Sequence, residues 1–190
     1  MQLDPQTIGV DAMYKLMIGC VVPRPIAWVS SVDASGVPNL APFSYFMAIT
    51  HDPPTIAFSA SPRAEAGGGR GKKDTLRNVE ATREFVVNMV DDALAEQMNV
   101  TSGDYAPDID EFVQASLAAA ASVKVKAPRV ASNLVIGQIV HLHVRDDVYD
   151  PASGRLDMHR LRPVGRLAGH LYTHVHEIFE MKRPAVDYKG

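Results

Sequence analysis

The stretch from Arg24 to Phe46, RPIAWVSSVDASGVPNLAPFSYF, constrains the fold more than any other part of the chain. Pro23 and Pro25 forbid helix, so the backbone enters the stretch extended. Residues 26–32 have the β-branched and aromatic content of a strand. Asp33-Ala34-Ser35-Gly36 reads as a turn in which Gly36 is free to take positive φ, and residues 37–43 return as the partner strand. Pro38 and Pro42 each lack a backbone donor, which implies edge or bulged positions.

The rest of the chain continues this alternation of short strands and single helices. Helix is expected near residues 11–17, 74–82, 91–98 and 108–117, and strand over 55–60, 84–90, 122–126, 134–146, 167–172 and 176–181. Crossover helices do not follow the strands regularly, so antiparallel pairing and a barrel-like sheet are expected over a doubly wound parallel sheet. The fold class is mainly β with inserted helices, in one domain spanning 1–190 with its core at about 13–184.

Composition excludes several functions. The chain of 190 residues has 19 Lys and Arg against 22 Asp and Glu, which gives no global attraction to nucleic acid or anionic lipid. A single cysteine, Cys20, rules out an internal disulfide and suits a reducing cytoplasm. The N-terminus lacks a basic leader followed by an apolar core, and no apolar run approaches the roughly 20 residues of a membrane helix.

Two segments point to chemistry. Lys73-Asp74-Thr75 opens a helical pattern, and a helix start offers unpaired N–H groups and partial positive charge to a phosphate. Plain capping by Asp74 is the alternative there. The preceding GGGRGKKDT resembles a P-loop only superficially: Ala66 stands where the first glycine belongs, and Lys73 where the hydroxyl belongs. The strand end from Asn39 to Phe46 sets Ser44 among Phe43, Tyr45 and Phe46, which suits a flat ring with polar edges, or else a core with serines at strand ends. His141-x-His143 and His174-x-His176 have a spacing that zinc accepts, but no further ligand signature accompanies them. They read as surface or interface histidines, and no metal site is expected. No Gly-x-Ser-x-Gly elbow occurs, which argues against a serine hydrolase.

Together, the Arg24–Phe46 block, PPTIAFSA, KDTLRNVE, EFVVNMV and the tail LRPVGRLAGHLYTHVHEIFEMKRP resemble the flavin reductase-like family, in the family's order. The resemblance implies an FMN-binding split β-barrel, a homodimer with the flavin near the interface, and reduction of flavin by NADH or NADPH through hydride transfer. It places ring and ribityl contacts on Trp28, Ser30, Ser31, Asn39, Ala41, Ser44 and Phe46. Phosphate contacts fall on Ser59, Arg63, Lys73 and Thr75, with Asp74 setting local geometry. No catalytic side chain is implied, since hydride chemistry belongs to the cofactors. A protein electron acceptor or oxygenase is an expected partner. The alternatives are a non-catalytic FMN carrier or sensor, and a structural dimer with a decayed pocket. One departure stands out: after Pro128-Arg129 the family runs through a further strand, whereas here residues 130–133 lead almost directly into Leu134.

Overall fold

A computed structural model describes residues 3–64, 70–118, 123–131 and 133–181, with the backbone path alone at 63, 64, 70 and 123–131. Helix α1 (Val10–Cys20) leads into β1 (Ala27–Val32), β2 (Pro38–Phe43), β3 (Phe46–His51) and β4 (Pro54–Ser59). Two short strands, β5 (Arg63–Ala64) and β6 (Arg70–Gly71), precede α2 (Asp74–Thr82) and β7 (Glu84–Met89). A 3-10 turn (Asp92–Leu94) runs into α3 (Ala95–Val100), followed by α4 (Glu111–Gln114), β8 (Val123–Ala131) and β9 (Leu134–Ile139). The chain continues through β10 (Tyr149–Asp150), β11 (Arg155–Leu156), α5 (Met158–Leu161), β12 (Val164–Arg166) and β13 (Tyr172–His174).

Seven strands form one antiparallel sheet in the order β2-β1-β7-β8-β9-β4-β3. The two edge strands are consecutive in the chain, and only Ser44 and Tyr45 separate them. In a flat sheet the edges would lie about 29 Å apart, at about 4.8 Å per strand. The step from Phe43 to Phe46 spans at most about 11 Å. The sheet therefore curls until its edges approach, and the unpaired seam between β2 and β3 is what splits the barrel. The prolines act as expected: Pro38 and Pro42 both lie on edge strand β2.

Opposite faces of the β1–β2 hairpin pack two cores. Ala27, Val29 and Phe43 join Phe58, Leu76, Val79, Phe85 and Val135 in the first. Trp28 and Leu40 join Ile26, Val90, Met98 and Val164 in the second. Residues paired across the hairpin share a face, so Trp28, Ser30, Leu40 and Pro42 point one way and Val29, Ser31, Asn39 and Ala41 the other. The β12–β13 hairpin docks on the second core. Gly165 permits this, because a Cβ there would lie 3.0 Å from Pro23 Cβ and 3.3 Å from Thr173 Cγ2.

Several sequence expectations shift. Residues 46–51 form strand β3, which carried no periodic signal because five of its six residues are exposed. The strand expected over 134–146 ends at Ile139, and residues 140–145 continue without a ladder despite their alternation. Residues 167–171 are the hairpin loop rather than strand, and 176–181 pair with nothing described. The helix expected over 108–117 contracts to α4. Pro128 and Arg129 lie inside β8, whose register shifts between Lys126 and Arg129 before it turns into β9. The shortened connection thus leaves the seven-stranded order continuous.

Candidate functional site

Ser44, on the two-residue step across the seam, faces a cavity of about 400 Å³. Phe43, Tyr45, Ile26 and Met98 give it apolar walls, and Ser59, Ser61 and Lys73 give it polar ones. The remaining wall comes from Ile18 and Tyr14 of α1, from Pro42, Asn99 and Ser102, and from Arg166, Gly169, His170 and Tyr172 of the β12–β13 hairpin. Arg24 completes it, with its Nε donating to Ser44 Oγ at 3.4 Å. A hydroxyl oxygen that accepts this bond keeps its own proton available to a ligand.

A second cavity of about 50 Å³, room for a water or two, adjoins at Lys73. Asn39, Ala41, Asp74, Thr75, Asp104 and Glu111 line it. Asn39 Nδ2 donates to Thr75 Oγ1 at 2.8 Å, and Glu111 Oε2 accepts the Leu40 N–H at 3.0 Å. Burial pushes the Glu111 carboxyl above its ordinary range against the pull of the Leu40 N–H, and Asp74 and Asp110 add to the rise. Asp74, Asp104 and Glu111 thus surround Lys73 in this small volume.

The start of α2 lies beside both cavities. The N-cap position falls to Lys73 rather than Asp74, and the Lys73 side chain makes no cap hydrogen bond. Asp74 pairs with Arg77 at 3.3 Å. Lys73 lines both cavities, and its ammonium lies 5.7 Å from the centroid of the Phe43 ring, itself a wall of the larger one.

The sequence-derived residues therefore divide. Ser44, Ser59 and Lys73 meet on the large cavity, while Asn39, Ala41, Asp74 and Thr75 line the small one. Trp28, Ser30, Ser31 and Phe46 line neither of the two. Trp28 is buried in the second core with Nε1 donating to Thr101 Oγ1 at 2.8 Å, and Ser31 Oγ accepts from Asn78 at 3.2 Å. Ser30 and Ser31 face opposite sides of the sheet, so their side chains do not meet one ring together. The Arg63 side chain lies outside the described residues. Sequence reading missed Arg24, Arg166 and His170 as wall residues. Arg24 heads the Arg24–Phe46 block, and Arg166 and His170 lie in the quoted tail, whose return to the barrel mouth depends on the long-range bridge between Arg24 and Arg166.

The expected pairs of histidines separate as well. His141 and His143 are exposed on the irregular segment after β9. His174 and His176 stack at 5.1 Å and gather with Asp92, the one group of three among the described residues with metal-ligand spacing. Asp92 is already engaged, with His174 Nδ1 at 2.5 Å and Arg162 Nη2 at 2.7 Å. The His174 hydrogen bond, and then the charges of His174, Arg162 and His176, hold the Asp92 carboxyl below its ordinary range. With an arginine on one carboxylate oxygen, the cluster reads as an ion-pair clamp joining the hairpin to the 3-10 turn.

Comparison with known proteins decides the family. The profile of the Flavin reductase like domain matches residues 18–133. The chain belongs to this flavin reductase-like family. An uncharacterized protein of Aquifex aeolicus is 36% identical, covering 86% of this chain and 90% of its own length. Uncharacterized protein YwrF of Bacillus subtilis is 34% identical, covering 90% and 93%. Nitrilotriacetate monooxygenase component B from Bacillus cereus superposes with TM-score 0.86 at 31% identity over 95% of this chain and 98% of that one. Pseudomonas fluorescens 2-nitrobenzoate 2-nitroreductase NbaA gives TM-score 0.87 at 26% identity over 100% of both. A Shewanella frigidimarina chain with a split barrel domain gives TM-score 0.78 at 18% identity and speaks to the fold alone. The flavin reductase-like fold is thus the seamed barrel described above.

Proposed function

We propose that the protein binds FMN in the large cavity and uses it as an NAD(P)H-dependent oxidoreductase. The observation that carries this reading is Ser44 facing one cavity with Ser59 and with Lys73, the N-cap residue of α2. A volume of about 400 Å³ falls within the usual range for cofactor sites, about 300–1,000 Å³. The donor set suits the group: a cation and N–H groups for the phosphate, apolar walls for the ring, and a hydroxyl with a free proton for its polar edge. The Bacillus cereus and Pseudomonas fluorescens neighbours, oxidoreductases by name, support the reaction class.

Bound FMN would supply hydride acceptance and electron storage. The chain's own part is to hold and shield it. Phe43, Tyr45, Ile26 and Met98 exclude water from the ring, Ser44 presents a proton to its edge, and Lys73 neutralises phosphate charge. A homodimer fits the edge strand β3, where Met47 is 58% and Ile49 50% exposed. Cys20 is free and exposed, which suits a reducing cytoplasm, and no described helix is long and apolar enough to cross a membrane.

The test is direct. Purified protein is expected to be yellow with flavin absorption, and to oxidise NADH or NADPH continuously when free FMN is in excess. Lys73→Ala is expected to weaken FMN binding by about 1.5–3 kcal/mol while leaving riboflavin binding nearly unchanged. Colourless protein that neither takes up FMN nor oxidises either nucleotide would refute the reading.

A further inference from the structure

The wall of the large cavity carries Arg24, Lys73, Arg166 and His170, and among the described residues no aspartate or glutamate. Lys73 belongs to the α2 end. The other three gather where the β12–β13 hairpin meets Pro23-Arg24. Arg24 and Arg166 are bridge partners, each donating its N–H to the other's carbonyl at 2.9 Å. Residues so paired project on the same face, and like charges directly opposite each other repel.

Neither guanidinium has a carboxylate partner among the described residues. Arg24 is only 4% exposed and donates to the carbonyls of Ile18, Val21 and Leu167 at 2.7–2.8 Å, besides Ser44. Two of these carbonyls lie at the C-terminal end of α1, whose partial negative charge offsets some of the cation. Arg166 lies 4.4 Å from the Tyr172 ring centroid and donates to Tyr172 Oη and the Gly169 carbonyl. That leaves part of its donor fork unused. A buried cation normally has an opposite charge beside it, and two cations held together with none destabilise the fold unless a ligand supplies the charge.

We propose that Arg24, Arg166 and His170 form a second subsite in this cavity that takes the oxyanion of a second ligand. Arg166 and His170 provide direct donors, and Arg24 provides charge from behind. The ligand class is an anionic redox partner bearing a phosphate or carboxylate group. A dinucleotide's pyrophosphate and the carboxylate of a small acceptor share this chemistry. The assignment of the ligand as a redox partner rests on the flavin reading, whereas the anion site itself does not.

The test titrates FMN-loaded protein with ADP-ribose and, separately, with benzoate, following heat of binding and the flavin absorption band. At least one probe is expected to bind, and the one that does identifies the source of the oxyanion. Arg166→Gln is expected to weaken that probe about tenfold or more, with Arg166→Lys between it and the parent, while FMN affinity changes by less than about twofold. The proposal is overturned if neither probe binds the parent at millimolar concentration, or if Arg166→Gln binds the probe as the parent does. It is also overturned if Arg166→Gln loses FMN as Lys73→Ala does, since the pair would then hold the flavin's own phosphate. If the protein takes up no FMN, the same titration on the flavin-free chain separates the two ideas: Arg166-dependent binding upholds the subsite while the flavin reading falls.

Discussion

Ser44 and Glu111 carry the clearest single-residue consequences. Ser44 Oγ accepts from Arg24 and faces the cavity, so Ser44→Ala removes one donor to the bound ring. The expected outcome is FMN binding weakened by about 1 kcal/mol, with a shifted flavin reduction potential. Unchanged affinity and potential in a spectroelectrochemical titration would remove the role. Glu111 is buried, and its folded-state carboxyl titrates above the ordinary value of 4.5. A raised carboxyl contributes stability that is complete below that ordinary value and is lost as pH rises through the raised one. Once ionised, Glu111 is therefore a liability to the fold. Glu111→Gln keeps an acceptor for the Leu40 N–H and removes the charge. It is expected to melt a few degrees above the parent at pH 7, as about 1 kcal/mol does for a chain of this size, with the gain vanishing toward pH 4. Thermal melts across that range check both the sign and the trend.

At the scale of elements, the β12–β13 hairpin forms a wall of the site and depends on Asp92 to stay docked. Asp92 binds Arg162 just before β12 and His174 at the end of β13, and Asp91 beside it binds Arg145 at 2.9 Å. The Asp92 carboxyl is held below 3.8, so its contribution is present above that value and is lost as pH falls through the lowered one. Asp92→Asn is expected to lower the melting temperature at pH 7 and to flatten the acid limb of the stability curve. Equal acid slopes for parent and variant would show that the clamp does not hold the hairpin. Little of this element was legible in advance. Strand was expected over 167–172, but the chain turns there with Gly169 at φ +58°, and only Tyr172 enters β13. The β1–β2 hairpin was legible because its evidence is local: Gly36 takes φ +88° in the turn, and both prolines sit on an edge. Strand β3 was not, because exposure on both faces leaves no alternation to read.

For the whole molecule, the same exposed strand sets the prediction for assembly. Met47 and Ile49 on β3, and Val140 and Leu142 beyond β9, are exposed apolar side chains. The proposed dimer covers them. Light scattering is expected to give twice the chain mass for the parent and the single-chain mass for the Met47→Glu, Ile49→Glu double variant. A parent that elutes as a single chain at all concentrations would dismiss the dimer. The barrel class followed from the lack of crossover helices, and the family from blocks spread along the chain. The division of site residues between two cavities did not follow, because it depends on which face of the sheet each side chain takes. Arg166 lies 120 positions beyond Phe46, yet the tail returns to complete the cavity through a backbone bridge to Arg24 that no local pattern announces.

The link made by Ser44 and Tyr45 has a mechanical consequence. It acts as a tether of fixed length, so the slit can widen by no more than the slack in that one short span. A coenzyme must slide in through the open mouth instead of prying the walls apart. Lengthening the tether with inserted glycines should therefore loosen the grip on any guest.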